Sequence, residues 1–337
     1  MVQGMRQAHT NRKKKRNLTP TLLILNILLW GSAIYLWLQD YESAPTVAGQ
    51  FAYEQAIETP DIDVPIFNDG NVESYNEVGF SMYSNHALLI NLTSGDVLFA
   101  HNENERVYPA SVTKIMTVLV GLEYADGEDL IVQADFDELF RESAAMAGFE
   151  YGETRTLSEV LHGAMLPSGA DATTTLAYHV AGSYQGFVDL MNETAMRLGM
   201  FDTHFTNASG LHDDNHYTTA YDIALMLEYA LQIETFKNIF TTPIYTITTG
   251  AGDEHDMVST MFNSIATSGR SPDFSGGEIL GGKSGFTFAA GLCLVSLATN
   301  GVDEFILITL QASHEIGISQ PHIVDAFTIY EYFFNYE

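Results

Sequence analysis

Cysteine is nearly absent from the 337 residues: Cys293 stands alone, which excludes an internal disulfide framework and a cysteine-built zinc cluster. Basic residues are scarce. Fourteen Lys and Arg face forty-three Asp and Glu, a formal charge of −29, and six of the fourteen (Arg6, Arg12, Lys13, Lys14, Lys15, Arg16) fall in the first sixteen positions. The remainder holds eight basic residues against forty-three acidic ones, a formal −35. A phosphate backbone needs a basic face, so nucleic acid is excluded as a partner. There is also no internal repeat and no low-complexity tract. What the chain has in quantity is apolar material, 46% hydrophobic and 12% aromatic, enough for a sizeable core and unlike a disordered chain. The length allows one large α/β domain or two small ones.

No charged residue lies between Asn17 and Gln39, and Leu22 to Leu38 is almost wholly apolar. At about 1.5 Å per helical residue that run matches the thickness of a bilayer core. The basic run before it and Asp40 and Glu42 after it put the N-terminus in the cytoplasm by the positive-inside rule. The predicted organisation is a cytoplasmic basic tail over 1–16, a single-pass transmembrane signal-anchor over 17–39 in the cell membrane, an acidic linker over 40–79 and a domain outside the membrane over 80–337. The alternative is a cleaved signal peptide and a secreted protein, but Ser43-Ala44 is followed by Pro45 and makes a poor cleavage site. The linker carries nine acidic residues, no basic ones and prolines at 45, 60 and 65. A self-repelling tether of that length reaches roughly 35 Å.

His86-Ala-Leu-Leu-Ile-Asn-Leu92 and Val97-Leu-Phe-Ala100 flank a glycine-bearing turn and predict a β-hairpin. A second hairpin is predicted near the C-terminus, with Gly291–Ala298 and Glu304–Leu310 around Asn300-Gly301. Helical signals lie between. Thr156-Leu-Ser-Glu159 and Thr219-Ala-Tyr-Asp222 have the form of capping boxes, each leading into apolar residues at helical spacing. Strands at both ends and helices in the middle predict an α/β domain, its antiparallel sheet built from both ends and a helical lobe inserted.

Three short segments carry candidate chemistry. In Tyr108-Pro-Ala-Ser-Val-Thr-Lys114, Pro109 precedes an apolar helix, Ser111 falls in its first turn at the positive end of the helix dipole, and Lys114 lies three residues on along the same face. A serine attacks only when a neighbouring base takes its proton, and a desolvated lysine can do so. Alone, the pattern is weak and reads as an N-cap with a surface lysine. Ser168, in Leu166-Pro-Ser-Gly-Ala-Asp171, heads another predicted helix, where an N-cap serine is the plain reading. Gly281-Gly-Lys-Ser-Gly-Phe-Thr287 leads into the terminal hairpin. It suits either a flexible turn or a sheet edge where a ligand backbone lies and its carboxylate meets Lys283.

Ser-x-x-Lys, Ser-Gly-x and Lys-Ser-Gly in this order resemble the penicillin-recognising serine enzymes. Phe205-Thr-Asn-Ala-Ser-Gly-Leu-His-Asp-Asp-Asn-His216 and Gly282–Cys293 extend the likeness to the D-alanyl-D-alanine carboxypeptidases, the low-molecular-weight penicillin-binding proteins, over roughly 80–335. The resemblance implies a penicillin-binding/β-lactamase-like domain with no second β-domain, since Glu337 closely follows the last predicted helix. It also implies a serine DD-carboxypeptidase that removes the terminal D-alanine from peptidoglycan stem peptides ending in D-Ala-D-Ala, with β-lactams as covalent inhibitors and no metal or organic cofactor. By the same resemblance Ser111 is the acylated nucleophile, Lys114 its base and Ser168 a proton relay to the leaving group. Lys283 would anchor the terminal carboxylate within a substrate-binding strand that includes Ser284, Gly285, Phe286 and Thr287. The oxyanion hole would be the backbone N–H groups of Ser111 and Phe286.

Two departures stand out. The middle motif usually ends in asparagine and here ends in Ala170, which predicts slow turnover that Ala170→Asn would raise, or, if the site is packed for alanine, lower; Asp171 is no obvious substitute. Where many relatives carry an arginine near the C-terminus, Pro321-His-Ile-Val-Asp-Ala326 offers His322. Ala170 leaves room for an alternative, a penicillin-binding scaffold or sensor with little turnover. A β-lactamase would use the same nucleophile, but the nearest Glu-x-x-x-Asn is Glu234 with Asn238, much too far past Ala170 for the usual deacylation loop. The run His212-Asp-Asp-Asn-His216 lacks zinc-helix spacing and predicts a structural loop, and Cys293 in an apolar strand predicts a packing residue.

Overall fold

The structure, a computed structural model, describes residues 67–68, 72–74, 78–127, 129–134, 139, 142–314 and 318–335. The chain divides into two compact units, Met1–Gln50 and Phe51–Glu337, and all described residues belong to the second. The predicted tail 1–16, the anchor 17–39 and most of the linker lie outside them. Among the described residues no helix is long and apolar enough to cross a membrane.

Both predicted hairpins form. Strands β2 (His86–Asn91) and β3 (Asp96–His101) turn at Gly95, and β10 (Gly291–Thr299) and β11 (Glu304–Ala312) turn at Gly301; both glycines have positive φ. With β1 (Glu73–Ser74), β8 (Asp273–Phe274) and β9 (Gly277–Thr287) they build a seven-stranded sheet in the order β1-β3-β2-β11-β10-β9-β8. β11 pairs with β2, so the two ends of the domain close one sheet; every pairing is antiparallel except β1 with β3. Residues ahead of Phe80, assigned to the linker by sequence, also join it: β1 runs beside β3, and Phe67 is buried edge-on against Tyr221.

Inserted between the strands are α1 (Lys114–Tyr124), α2 (Leu157–Met165), α3 (Ala170–Ala181), α4 (Tyr184–Arg197), α5 (Ala220–Leu231), α6 (Glu234–Thr241) and α7 (Thr260–Thr267). Two small ribbons accompany them, β4 (Asp129–Ile131) with β5 (Thr154–Thr156) and β6 (Ile244–Thr248) with β7 (Glu254–Val258). The chain's last helix is α8 (Pro321–Phe334). Thr156 and Glu159 make a reciprocal capping box. Thr219 makes only half of one. It accepts from the Asp222 N–H, but the Asp222 carboxylate turns away to accept from the Asp202 N–H and the Thr203 hydroxyl.

Alternation along the strands separates two cores. Leu88, Ile90, Ile306 and Ile308 face the helical lobe, while Leu89, Leu294 and Leu307 face α7 and α8. Because both sheet faces are covered, β2, β10 and β11 are apolar almost throughout. β8 pairs only with Gly277 and Glu278. Among the described residues, the rest of β9 is therefore a sheet edge turned toward the lobe.

Candidate active site

Pro109 caps a 3₁₀ turn over Ala110–Thr113 that passes directly into α1, so Ser111 and Lys114 share one face. The Lys114 Nζ donates to Ser111 Oγ at 3.2 Å and to the Ser209 carbonyl. Burial lowers the Lys114 pKa to about 7, although the Asp171 carboxylate pulls it upward. Ser111 and Lys114 are thus in hydrogen-bond contact, with the amine poised to exist in either state at neutral pH.

The Ser209 carbonyl is delivered by the 205–216 loop, whose sequence likeness gave no hint of this contact. Asn207 Oδ1 accepts from the N–H groups of Ser209 (3.1 Å) and Gly210 (2.7 Å), and its Nδ2 donates to the Leu211 carbonyl. Gly210 has φ +79° and lies so close to the turn that carries Ser111 that an added Cβ would stand 2.0 Å from the Ala110 carbonyl oxygen. Only glycine fits there. His216 closes the loop: its Nδ1 accepts from the Thr206 N–H and its Nε2 donates to Thr113 Oγ1 at 2.7 Å. Burial lowers its pKa to about 4. His216 is therefore a neutral strut, and among the described residues no cluster suited to a metal ion forms.

At the second motif Ser168 is not the N-cap; Gly169 holds that position. Ser168 instead has φ +67°, and its buried hydroxyl has no hydrogen-bond partner among the described residues. Left-handed backbone at a serine is uncommon and costs energy that the surroundings must supply. Asp171 supplies part of the surrounding frame. Its Oδ1 accepts from the N–H groups of Ala147 (2.8 Å) and Ala172 (3.0 Å), and its Oδ2 from those of Gly148 and Phe149 (both 3.1 Å). The Ala170 N–H donates to the Ala145 carbonyl, and its side chain is buried among Ala134, Leu139, Ala144 and Met146. That apolar setting favours the alternative in which the position is packed for alanine over the one in which an amide is missing from an open place.

The third motif lies on the open part of β9. Lys283 is fully buried; its Nζ donates to the Ser284 carbonyl at 2.7 Å and to Thr260 Oγ1 at 3.4 Å, and Ser284 Oγ donates to the same Thr260 oxygen at 2.9 Å. Burial, with the charge of Lys114 adding to it, holds the Lys283 pKa well below the lysine range. Thr260 had no signal in the sequence. Its own N–H donates to the Leu166 carbonyl, tying α7 to the end of α2 just before the second motif. Gly285 fixes how closely the walls approach: a Cβ there would lie 2.7 Å from the Ser111 nitrogen.

Three other positions singled out in the sequence lie nearby or in the same sheet and helix layer. The Thr287 hydroxyl accepts from the Ala290 N–H and serves the β9–β10 turn. Cys293 is buried in β10 with its thiol pushed up to about 12, which makes it inert. His322 is buried with neither ring nitrogen hydrogen-bonded among the described residues, so it makes no hydrogen bond to Lys283 or Ser284.

Residues 72–314 match the family model described as D-alanyl-D-alanine carboxypeptidase. The chain is 34% identical over 233 residues to the D-alanyl-D-alanine carboxypeptidase DacF of Bacillus subtilis, covering 67% of this chain and 57% of that protein. A Streptomyces D-alanyl-D-alanine carboxypeptidase is 30% identical over 237 residues, 67% of this chain and 80% of the relative. Among solved structures, a mutant of the Streptomyces K15 DD-transpeptidase superposes with a TM-score of 0.66 at 27% identity, covering 76% of this chain and 99% of that one. A D-alanyl-D-alanine carboxypeptidase from Mycobacterium tuberculosis gives 0.65 at 25% identity, covering 81% and 97%. The chain spans little more than half the length of the Bacillus relative. With the three motifs, the sheet closed from both ends and the inserted lobe, these matches place it: the chain belongs to the D-alanyl-D-alanine carboxypeptidase family.

Proposed function

We propose that this protein is a serine DD-carboxypeptidase of the cell wall, removing the last D-alanine from stem peptides ending in D-Ala-D-Ala. The observation that carries the reading is the contact between Ser111 Oγ and a buried Lys114 whose pKa is about 7. Neutral Lys114 takes the hydroxyl proton as Ser111 attacks the carbonyl between the two D-alanines. The backbone N–H groups of Ser111 and Phe286 hold the developing oxyanion. The C–N bond then breaks, the departing amine receives by way of Ser168 the proton that Lys114 took, and an ester remains on Ser111. Water attacks that ester, frees the shortened peptide and restores the hydroxyl. Among the described residues Lys283 has hydroxyl and carbonyl partners but no carboxylate; the substrate's terminal carboxylate supplies one. β-Lactams enter by the same attack and stay as covalent esters.

Release of D-alanine from a pentapeptide is the test. Wild type should release it and Ser111→Ala should not; release that survives the substitution would move the nucleophile elsewhere. A weakly active scaffold is the second reading, favoured by the apolar packing around Ala170. It predicts covalent penicillin binding without D-alanine release.

The membrane anchor belongs to this proposal on sequence grounds: the uncharged run 17–39 follows a basic segment. Removing residues 1–39 should give a soluble, active domain. Aggregation or loss of activity of that form would count against the assignment, and a secreted product lacking the segment would favour a cleaved signal.

A further inference from the structure

The 205–216 loop that delivers the Ser209 carbonyl to Lys114 fixes its own shape through Asn207, which draws in the N–H groups of Ser209 and Gly210. A trans peptide sets its N–H and C=O on opposite sides, so holding the Gly210 N–H turns the Ser209 carbonyl the other way. That bond is internal to the loop and does not decide which atom of α1 the carbonyl meets. At the loop's ends, Asn192 of α4 holds the Phe205 N–H and carbonyl through its amide, each at 2.8 Å, and His216 donates to Thr113.

Between those ends, Ala208 is gripped from two helices. The Thr117 hydroxyl, buried on α1, donates to the Ala208 carbonyl at 2.6 Å, and the Ala208 N–H donates at 3.0 Å to the hydroxyl of Tyr184, the first residue of α4. Thr117 lies three residues past Lys114 and so on the same face of α1. That face therefore offers a hydroxyl to the Ala208 carbonyl and an amine to the carbonyl that follows it. Ala208 is fully buried, so a backbone group released there finds no water and must turn to seek another partner.

We propose that Thr117 and Tyr184 are positioning residues that clamp Ala208 from two sides, and that this clamp aims the Ser209 carbonyl at the Lys114 amine and so holds that amine on Ser111. Given the function proposed above, with neutral Lys114 as the base, the clamp has a signature beyond stability. A carbonyl aimed at the amine favours the ammonium form, so freeing it favours the neutral form and moves the rising limb of acylation to lower pH. The titratable groups facing Lys114 are Asp171 on α3, Lys283 on β9 and His216 in the loop, and neither clamp substitution removes one of them. Burial raises the Tyr184 pKa, so its hydroxyl stays protonated across the limb.

The test uses the full chain in detergent, as wild type, Thr117→Val, Tyr184→Phe and the conservative Thr117→Ser. Two quantities are read against pH: the rate of Ser111 acylation by a fluorescent penicillin, and the NMR resonance of the Lys114 ε-carbon in isotope-labelled protein, assigned by its loss in Lys114→Arg. Thr117→Val and Tyr184→Phe should each move the limb and the Lys114 titration to lower pH by about half a pH unit. Each should also lower the plateau rate roughly tenfold, within what a misplaced reacting group costs. Thr117→Ser, which keeps the hydroxyl, should leave the limb in place and the rate within about twofold of wild type. A limb and a Lys114 titration that stay in place in Tyr184→Phe, which keeps the ring, overturn the clamp even if Thr117→Val fails to fold. If wild type is acylated at no pH but its Lys114 titration moves in the two variants, the clamp stands and the carboxypeptidase reading fails.

Discussion

The turn that opens α1 and the open edge of β9 each bury a lysine in the same cleft, and the two lysines keep different company. Lys114 touches the Ser111 hydroxyl and the Ser209 carbonyl, and the buried Asp171 carboxylate favours its charged form. Lys283 touches Thr260 and the Ser284 carbonyl, and the charge acting on it is that of Lys114, which disfavours its own. Burial disfavours both cations; an anion rescues only one of them to about 7. A base must pass between two protonation states at working pH, whereas an anchor can await the carboxylate that makes its charge affordable. Under the proposed function, the difference in surroundings separates two chemically identical side chains into two roles.

The largest expected effect follows from exchanging those roles for alanine. Lys114→Ala should slow Ser111 acylation at least about a thousandfold, and the Ser111→Ala, Lys114→Ala double variant should be no worse than either single one, because members of one catalytic unit are not additive. Single-turnover labelling by a fluorescent penicillin measures it, and additive losses would break the pairing.

Lys283→Ala should cost less. Losing a charge-assisted hydrogen bond to the substrate's carboxylate is worth about 1.5–3 kcal/mol, or roughly ten- to hundredfold in kcat/KM. A peptide with an amidated C-terminus should lose little further on the same substitution. Equal losses on both peptides would take the anchor role from Lys283.

Smaller again is a displacement in pH. Acylation should be slow while Lys114 is protonated, rise as pH passes about 7 and level off above it, since the neutral amine is the base. Lys114 is faced by Asp171, Lys283 and His216, and His216 remains neutral throughout that range. Asp171→Asn removes the anion that raises the Lys114 pKa, so the rising limb should move to lower pH. A limb that stays in place would show that Asp171 serves only the backbone of 147–149.

The smallest effect concerns Ala170→Asn. Enlarging a buried methyl among Ala134, Leu139, Ala144 and Met146 should destabilise by about 1–3 kcal/mol, read as a melting temperature lower by several degrees. D-alanine release should not rise. A faster enzyme of unchanged stability would restore the view that a missing amide limits the rate.

The sheet was legible because its strands are apolar on both faces and its turns carry Gly95 and Gly301, signals that need no tertiary knowledge. The three motifs were legible by type and order. Their supports were not. Lys114 is oriented by a backbone carbonyl of Ser209, and every residue has a carbonyl. Thr260 reaches Lys283 from another helix, and nothing local in Ser259-Thr260-Met261 marks that approach. Asp171 has the look of an ordinary first-turn acid on α3 until its carboxylate is seen to collect four backbone N–H groups, three of them from 147–149. The capping box at Thr219 failed for a related reason: Asp222 found partners from outside its own helix, Asp202 and Thr203, that compete with the local bond.

The central claim is that Ser111 becomes covalently acylated with Lys114 as its base. Intact-mass spectrometry after exposure to penicillin, followed by peptide mapping, tests it most directly. The account predicts one added penicilloyl mass per chain, located on Ser111 and absent from Lys114→Ala over the same exposure. An adduct on another residue, no adduct at all, or full labelling of Lys114→Ala at the wild-type rate would contradict it.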